Sequence, residues 1–497
     1  MDFSLVPANA AASQVFIEQQ NVRRTLGSMI IPERLLIPGQ YNTGKTPVVD
    51  TPALCLAESD AWTRYGRGSL LAAMYKKAYD NYPGAEIYML PLADAGGGQA
   101  AVGSILVASA VTVAGTKAIF IGGRKITVAT PVGTVDATAA LINAAINANL
   151  DLPVTSTVLT ATCTLTARHK GTYGNGIKIE IDLDAGDDLL EPTGGALTLT
   201  QMGITVAGAT DPPNIAAALA SLGDTWYTVI AFPWNDSVNV ALMEAAGTAR
   251  VAPSIKRPFA GIVGTIATLA DYTTWLGSRN SPWTTSIPVE VGSSPVYEIA
   301  AAAAGAIIGS ASADPARPPK TLSLVGIRGG VLPNWTGAQK DVIVRLGGSW
   351  TKRGVDGVVA LGDCITTYVT NAGGGEDAVT SWRYLTTILK LQAKIYSLDQ
   401  LCNGEPFNRA IIISDAQVTS KRYAISPKTA KAYAIKLIDD LWIPQGWSKD
   451  RDTIVAGIVA AINGGNPARM DLLVPDVMSA ELAIIAVKYE WGFSSAA

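Results

Sequence analysis

The sequence predicts an α/β protein whose parallel-sheet core is split by a β-rich insertion. Apolar runs alternate with helical periodicity in two separate places, at about 34–92 and again at 225–313. Between them, residues 100–205 form short β-rich runs separated by glycine turns, and beyond residue 366 helical spacing dominates. Because alternation of strands and helices is typical of a parallel sheet with helices on both faces, the two flanking segments are expected to form one α/β domain.

The first α/β segment contains a strand, a helix and a second strand. The short apolar run RLLI (34–37) predicts the first strand, and EIYMLPL (86–92) predicts the second. Between them, residues 68–83 predict a helix, because their apolar side chains recur at helical spacing. That face consists of Leu70, Leu71, Met74, Tyr75 and Ala78.

The insertion at 100–205 is expected to be an antiparallel β domain. Its runs are rich in β-branched residues and are bounded by glycine-containing turns, which is typical of short antiparallel strands. One helix, at 136–149, interrupts them.

The second α/β segment repeats the strand–helix alternation three times. Strands are predicted at 225–233, 259–266 and 284–292, each followed by a helical run. The last of these helices includes the most apolar stretch of the chain, Ile299 to Ala313. It is short for a bilayer span and rich in Ala, Gly and Ser, so a buried helix is the better interpretation.

The C-terminal part is predicted to be helical and to end in a strand. Helical spacing runs through Leu385, Ile388, Leu391, Ile395 and Leu398, with Gly404 as a stop. Two more helices are expected at 427–442 and 451–464. Residues 481–493 alternate with a period of two and predict a long amphipathic strand. One side of that strand carries Ala483, Ile485, Val487, Tyr489, Trp491 and Phe493.

The composition argues for a protein that hides much of its surface. Hydrophobic residues make up 48% and charged residues only 16%, where globular domains usually carry about a quarter. The net charge of −3 gives no strong field for nucleic acid or an anionic membrane. The four cysteines are far apart, which fits reduced thiols in a cytoplasmic setting, and the start lacks the pattern of a signal peptide.

One motif suggests a nucleotide site. GQYNTGKT matches the phosphate-binding loop G-x-x-x-x-G-K-[ST] through Gly39, Gly44, Lys45 and Thr46. Such a loop needs a following helix, whose N-terminal N–H groups hold the phosphates. Here Pro47 and Pro52 enclose β-branched residues, so extended chain is expected and the match is interpreted as a coincidence. The alternative is a nucleotide-binding enzyme.

The rest of the catalytic inventory is poor, and neither a catalytic, a cofactor nor a metal site is predicted. His169 is the sole histidine, and with Arg168 and Lys170 beside it a solvated loop position is expected. No G-x-S-x-G elbow occurs in the sequence. The acid pairs Asp187/Asp188 and Asp439/Asp440 are interpreted as solvated.

A strand of unclear partner is expected at each end of the chain. Residues 12–25 predict a short N-terminal strand that includes Val15, Phe16 and Ile17. Unpaired strands can add to the sheet of a neighbouring chain, and copies related by rotation and rise then form an open helical assembly. The alternative is that both strands fold back onto their own domain.

Several segments resemble the tail sheath proteins of contractile phages, most closely those of the Mu-like type. Similar stretches occur in the family's order along most of the chain. They are SQVFIEQQN, the run from Tyr65 to Met74, TARHKGTYGNGIKIEI, DPARPPKTLSLVGI (314–327) and ITTYVT (365–370). Family members often carry Arg two residues before the last stretch, where this chain has Asp363.

The resemblance implies a fold and a division of the chain. The α/β core is expected to have a subtilisin-like topology without catalysis, and the C-terminal domain is expected to be α+β and to face a tail tube. The implied parts are an N-terminal linking arm (1–25), an α/β sheath domain (26–99 and 206–365), a β-rich insertion (100–205), a tube-facing domain (366–475) and a C-terminal linking arm (476–497).

The resemblance also implies a mechanical job without ATP. Copies of the chain would stack helically around a tail tube and contract, driving the tube through the host envelope for genome delivery. The implied partners are the chain itself, the tail tube protein, and baseplate and tail terminator proteins, with neither nucleic acid nor membrane. The location would be the virion tail, assembled in the host bacterial cytoplasm. The sheath of a phage-derived bacteriocin or other injection particle is a further alternative.

Overall fold

The fold is known from a computed structural model. It describes residues 31–204, 213–330, 334–355, 357–371, 382–417, 419–483 and 487–489. The predicted N-terminal strand with Val15, Phe16 and Ile17 lies outside these ranges, as do Ile485, Trp491 and Phe493.

The first α/β segment folds as the apolar pattern predicts. All five residues of the expected helix face are buried, and the Ser69 side chain caps the helix by accepting the Ala72 N–H at 3.1 Å. The elements are strands β1 (Arg34–Gln40), β2 (Ala53–Cys55) and β3 (Glu86–Leu92), and helices α1 (Glu58–Tyr65) and α2 (Leu70–Asn81).

The insertion is antiparallel, as its turn-rich β pattern predicts. Its strands form a four-stranded sheet of order β12-β4-β9-β8, a three-stranded sheet of order β10-β6-β7 and a pair, β11-β5. The strands are β4 (Ala100–Val107), β5 (Val111–Val113), β6 (Gly115–Ile121), β7 (Arg124–Thr130), β8 (Val154–Leu159), β9 (Thr162–Lys170), β10 (Ile179–Ile181), β11 (Thr193–Gly194) and β12 (Leu197–Gly203), with helix α3 (Val135–Ala148).

The second α/β segment contains the three predicted strands, each followed by a helix. A small antiparallel sheet of order β16-β18-β17 follows it. The elements are α4 (Ala216–Ala220), β13 (Val229–Phe232), α5 (Ser237–Arg250), β14 (Ala260–Ile266), α6 (Leu269–Gly277), β15 (Thr284–Val289), α7 (Val296–Ala313), β16 (Ser323–Arg328), α8 (Gly337–Arg345), β17 (Thr351–Arg353) and β18 (Val358–Leu361).

The two α/β segments share one six-stranded sheet. Its order is β15-β14-β13-β1-β3-β2, parallel except for the edge strand β2. β1 pairs with β13 across the insertion, with Leu35 opposite Val229. Helices cover both faces: a Cβ on Gly261 would lie 2.6 Å from Met243 of α5, and one on Gly264 would lie 2.0 Å from the carbonyl oxygen of Val296 in α7. The chain is therefore a mixed α/β protein with a parallel core.

Helix α7 is buried in this core. By length and composition it is the one helix among the described residues that could cross a membrane, and most of it is buried inside the fold. It packs against α2, β13, β14 and β16. At the α2 contact a Cβ on Gly305 would lie 2.5 Å from the Ala78 carbonyl oxygen, so the two helices approach at the distance that only glycine allows. The expectation of a buried helix is confirmed.

The C-terminal part is helical but contains more strand than predicted. Residues 451–464 were expected to form one helix, but the helix ends at Gly457 and Val459–Ile462 form a strand instead. The elements are α9 (Leu385–Asn403), β19 (Ile411–Ile412), β20 (Ala424–Ile425), α10 (Pro427–Leu437) continued by a π-turn to Trp442, α11 (Arg451–Gly457), β21 (Val459–Ile462) and β22 (Met470–Leu473).

Candidate assembly surfaces

The segment that precedes the predicted C-terminal strand is fixed to helix α9. We call residues 476–481 the C-terminal root. The buried Lys394 ammonium donates to the Asp476 carboxylate at 2.6 Å, to the Ser448 hydroxyl at 2.7 Å and to the Trp447 carbonyl at 3.0 Å. Burial lowers the pKa of Lys394. Removing Asp476 would leave a buried charge unpaired, at a cost of about 3 kcal/mol.

Two further side chains of α9 hold the root. Lys390 is buried and donates to the carbonyl oxygen of Ser479, and burial lowers its pKa. Thr386 donates its hydroxyl to Glu481, whose side chain is only 4% exposed. Burial raises the pKa of Glu481, and the Lys320 ammonium lies 3.8 Å from its carboxylate. Polar groups are rarely buried without partners, and three buried polar side chains of α9, Thr386, Lys390 and Lys394, find theirs in the root.

Backbone contacts complete the fixation of the root. The Lys449 N–H donates to the Val477 carbonyl at 2.8 Å, and Ser448 and Met478 form an antiparallel bridge. The root therefore runs as a short extended segment along the loop after the π-turn and along one stripe of α9. The contacts with this loop and with α9 together fix the direction of the root.

Beyond the root, the described residues are exposed. We call residues 482–497 the C-terminal tail. Leu482 is 72% exposed, and Val487 and Tyr489 are each 81% exposed. Side chains that packed against the core of their own subunit would be buried. Ala483 is exposed as well. Within this single chain the described residues of the tail, 482–483 and 487–489, are not in a strand.

A second exposed feature is the hairpin β21–β22. The two strands pair antiparallel, with Ala461 opposite Asp471, and among the described residues no third strand joins them. Val459 is 56% exposed and Leu473 is 62% exposed. A two-stranded hairpin is marginally stable in water, and additional strands stabilise it. Both outer edges are therefore suited to accept another strand.

The entry of the N-terminal segment lies against the same helix. Ile31 is buried in the cluster around α9, α10 and α11. Glu33 accepts a hydrogen bond from the Thr228 hydroxyl, and burial raises the pKa of Glu33 to about 7. Gln392 of α9 donates to the Thr228 carbonyl at 2.9 Å. The first described residues and the C-terminal root thus both lie against α9.

The phosphate-loop motif has the wrong surroundings for a nucleotide. Lys45 and Thr46 border an open depression of about 450 Å³, but a turn at 49–50 and the short strand β2 follow Thr46, and the next helix begins only at Glu58. The depression is lined by the C-terminal end of that helix, whose dipole repels phosphate. The glycine at position 39 is explained by packing instead, since a Cβ there would lie 2.5 Å from the Leu70 side chain.

The prediction that His169 is solvated was wrong. His169 is 2% exposed and lies in β9, whose inward residues alternate with outward ones. Its Nε2 accepts the Leu70 N–H at 3.1 Å, at the N-terminus of α2. Burial lowers the pKa of His169 to about 3, and Arg168 adds to the effect. His169 therefore joins the insertion to the core as a neutral hydrogen-bond acceptor.

Three of the four carboxylates in the acid pairs contact cations, and one of these three is less solvated than expected. The side chain of Asp187 is only 7% exposed and pairs with Lys125, so the solvated interpretation fails for it. Asp439 pairs with Arg451 at 2.5 Å, and Asp440 pairs with Lys436 at 2.6 Å. Neighbouring carboxylates thus point to different partners.

The remaining chemistry-bearing groups are scattered. All four cysteines are unpaired thiols, of which only Cys402 is exposed. In the part of the chain that the structure describes, no three His, Cys, Asp or Glu side chains are grouped to hold a metal. Asp363, where the family often has Arg, pairs with Lys320 at 2.6 Å and accepts the Trp350 indole N–H at 2.9 Å.

Sequence reasoning missed the residues that fix the root. The helical spacing of apolar residues predicts α9, yet three of those residues, Leu391, Ile395 and Leu398, are only half-buried. Thr386, Lys390 and Lys394 are buried instead, at a spacing of four. That spacing puts the three side chains on one stripe of the helix, and it is the feature of the sequence that could have identified them.

The chain is similar to known tail sheath proteins. It is 26% identical over 476 residues to a Mu-like prophage tail sheath protein of Haemophilus influenzae, covering 95% of this chain and 96% of the relative. No family model matches the sequence. Similar solved structures include a sheath tail protein of Desulfitobacterium hafniense (TM-score 0.48, 14% identity, 94% of this chain and 100% of that one) and a contracted sheath complex of an extracellular contractile injection system (TM-score 0.49, 9% identity, 97% and 98%). The predicted resemblance is confirmed, since the match to the Haemophilus tail sheath protein extends over nearly the whole length of both chains.

Proposed function

We propose that this chain is the structural subunit of a contractile tail sheath, polymerising helically around a tail tube and contracting to drive that tube through a cell envelope. The observation that carries the proposal is the C-terminal segment, in which a root held by hydrogen bonds to α9 is followed by a tail whose described residues are exposed. An exposed run of alternating apolar residues next to a fixed root is suited to adding a strand to another chain.

The proposed acceptor is the hairpin β21–β22 of a neighbouring copy. No described strand pairs with its outer edges, and its exposed Val459 and Leu473 would gain apolar contacts from an added strand. In the donor, Ala483, Val487 and Tyr489 would supply one apolar side of that strand, together with Ile485, Trp491 and Phe493. Val15, Phe16 and Ile17 of the N-terminal arm are proposed to link to a further neighbour.

The mechanism follows from the contrast between root and tail. Subunits can rotate and repack against one another while the tails keep them connected, because each tail bonds through backbone groups of a partner. Better contacts between subunits in the contracted state would supply the free energy, and a kinetic barrier would preserve the extended state. Neither nucleotide nor metal has a role in this scheme.

The proposed layout places the described elements in the domains implied by the resemblance. Residues 26–99 and 206–365 would form a subtilisin-like sheath domain, and 366–475 would face the tail tube. The insertion at 100–205 would face outwards. Partners would be further copies of the chain, the tail tube, and baseplate and terminator proteins, in a virion tail assembled in the bacterial cytoplasm. A phage-derived injection particle would use the same subunit, and capsid genes nearby would distinguish the two.

The test is a truncation that removes all of the tail except Leu482 and Ala483 and keeps the root. Residues 484–497 are deleted, because the buried Glu481 belongs to the root and a cut before it would expose Lys390 and Thr386. The full chain is expected to form hollow tubes or stacked rings by negative-stain electron microscopy over a range of salt concentrations. The truncated chain is expected to remain a folded monomer with an unchanged circular dichroism spectrum.

A second variant keeps the full length of the tail and removes two of its apolar side chains. Val487→Ser and Tyr489→Ser together change two side chains that are 81% exposed, so the monomer should be unaffected. Assembly should weaken, with tubes appearing only at higher protein concentration. Tubes of normal length from the truncated chain, or a full chain that stays monomeric in every condition, would contradict the proposal.

A further inference from the structure

Four edge strands of this chain carry a side-chain amide that imitates a neighbouring strand. Within a β-strand, the N–H and C=O of one residue point to the same side, so an unpaired edge presents a donor and an acceptor together. An Asn or Gln amide offers the complementary acceptor and donor. We use the term amide clamp for a side-chain amide that binds both groups of one edge residue.

Two amide clamps lie in the insertion. Asn147 of α3 accepts the Ser156 N–H at 3.0 Å and donates to the Ser156 carbonyl at 2.8 Å, on the edge strand β8. Gln201 of β12 accepts the Ile179 N–H at 2.9 Å and donates to its carbonyl at 2.7 Å, on the edge strand β10.

The other two clamps lie on the two edges of the sheet β16-β18-β17. Asn81 of α2 accepts the Val325 N–H at 2.9 Å and donates to its carbonyl at 3.2 Å, on β16. Asn334 accepts the Arg353 N–H at 2.7 Å and donates to its carbonyl at 2.8 Å, on β17. All eight distances lie within the range of good hydrogen bonds.

These clamps are where another chain could reach. Asn147, Gln201 and Asn334 are exposed, whereas Ser156 and Ile179, which the first two bind, are buried, so at β8 and β10 the amide and not the strand meets solvent. Buried amides would satisfy backbone groups for stability alone. An exposed amide replaces water, which would satisfy the same groups, and therefore adds little stability. Its effect is to occupy the position that an added strand would take.

The hairpin β21–β22 differs from these edges. In the contiguous described stretch from 419 to 483, no side-chain amide is bonded to the backbone of either of its strands. Asn463, the nearest amide, bonds instead to Asp471 and to backbone N–H groups of the turn. The hairpin edges therefore lack the feature that the four clamped edges share.

We propose that the amide clamps direct strand exchange between copies of this chain, by preventing the C-terminal tail of a second copy from adding at β8, β10, β16 and β17. This inference rests on the proposed function. A polymer built by strand addition needs such protection, because each wrong edge would otherwise accept an apolar tail and start a branched aggregate. A tethered amide competes well, since an incoming strand must break both of its hydrogen bonds at once.

The test counts the tails that a subunit accepts. The probe is a fluorescently labelled synthetic peptide of residues 482–497, titrated into dilute full chain and followed by anisotropy. The clamp variant carries Asn147→Ala, Gln201→Ala and Asn334→Ala. The control variant carries Asn403→Ala, Asn408→Ala and Gln417→Ala, three exposed amides of the same types outside the clamped edges.

The clamp variant is expected to bind up to three more equivalents of peptide than the unchanged chain. The control variant is expected to bind the same number as the unchanged chain. Each single replacement should add at most one equivalent, which keeps the test valid if the triple variant fails to fold. Folding is checked by circular dichroism and thermal melting.

The result that overturns the clamps is an equal number of peptides bound by the clamp variant and the unchanged chain. Failure of the proposed function is a separate result, in which the unchanged chain binds no peptide at all. Electron microscopy gives the second readout: the clamp variant should form branched or irregular aggregates where the unchanged chain and the control form tubes. Regular tubes from a folded triple variant would also overturn the proposal.

Discussion

The buried histidine should make the link between insertion and core sensitive to acid. Neutral His169 accepts the N–H of Leu70 through Nε2, whereas a protonated ring would present a second donor to that N–H and a positive charge to the N-terminus of α2. The pKa falls from 6.5 in the unfolded chain to about 3 in the fold. The stability from neutral His169 is therefore complete above pH 6.5 and is lost as the pH falls towards 3.

The size of the effect follows from this difference in pKa. At pH 5 the unfolded histidine is almost fully protonated while the folded one is neutral. Proton binding to the unfolded chain then costs the fold about 2 kcal/mol relative to pH 7. Asp94 lies 3.7 Å from Nδ1, too far for a strong hydrogen bond, and Arg168 opposes a positive ring.

The measurement uses the fact that His169 is the sole histidine. In an untagged chain labelled with ¹³C-histidine, the single ring resonance is expected to stay constant in NMR spectra between pH 8 and pH 5. The variant His169→Gln keeps an acceptor that does not titrate. It should lose about 2 kcal/mol less stability than the unchanged chain between pH 7 and pH 5, from denaturant titrations. A resonance that titrates near pH 6.5, or equal losses in both chains, would refute the burial of a neutral histidine.

Two further predictions concern packing and nucleotide binding. Gly305→Ala should force α2 and α7 apart and lower the free energy of unfolding by about 1–3 kcal/mol, whereas the control Gly277→Ala, where a Cβ would meet nothing within 4 Å, should change it little. Thermal melts of both variants decide this, and equal melting temperatures would contradict the close contact. Mg-ATP and Mg-GTP should leave the melting temperature of the unchanged chain constant, whereas a true site at 100 times its Kd would add about 2.7 kcal/mol. A shift that Lys45→Ala removes would restore the nucleotide hypothesis.

The sequence predicted the core well because its strands are continuous apolar runs. A strand buried on both faces must be apolar throughout, so runs such as AGIVGTI have no other plausible place. The helix face of α2 was equally clear, since its five apolar residues recur at helical spacing and all are buried. The order of the strands could not be predicted, because the pairing of Leu35 with Val229 depends on contacts across almost 200 residues.

Three predictions about the chain were wrong or incomplete because a stronger local pattern was overlooked. His169 was judged by its charged neighbours, but in TCTLTARHK every second residue faces inwards, and the histidine falls on the inward side. The C-terminal helix at 451–464 was extended too far, although Asn463, Gly464 and Gly465 are strong turn residues that favour a hairpin. The polar stripe of α9 was passed over because buried lysines are rare, and their partners lie some 80 residues further along the chain.

Under the proposed function, the buried lysines would let a tail carry load without unfolding its own subunit. If the proposed tail is pulled by a neighbour, the force reaches the subunit at the root. Lys394 and Lys390 resist there with charge-assisted hydrogen bonds to Asp476 and Ser479 in a water-poor setting, where such bonds are stronger than on the surface. An apolar root could slide along α9, because apolar contacts are non-directional. A root held by directed hydrogen bonds keeps one register, so the tail leaves every copy at the same place and angle. A helical polymer needs that uniformity, since an error in the direction of one tail would be repeated by every subunit added after it.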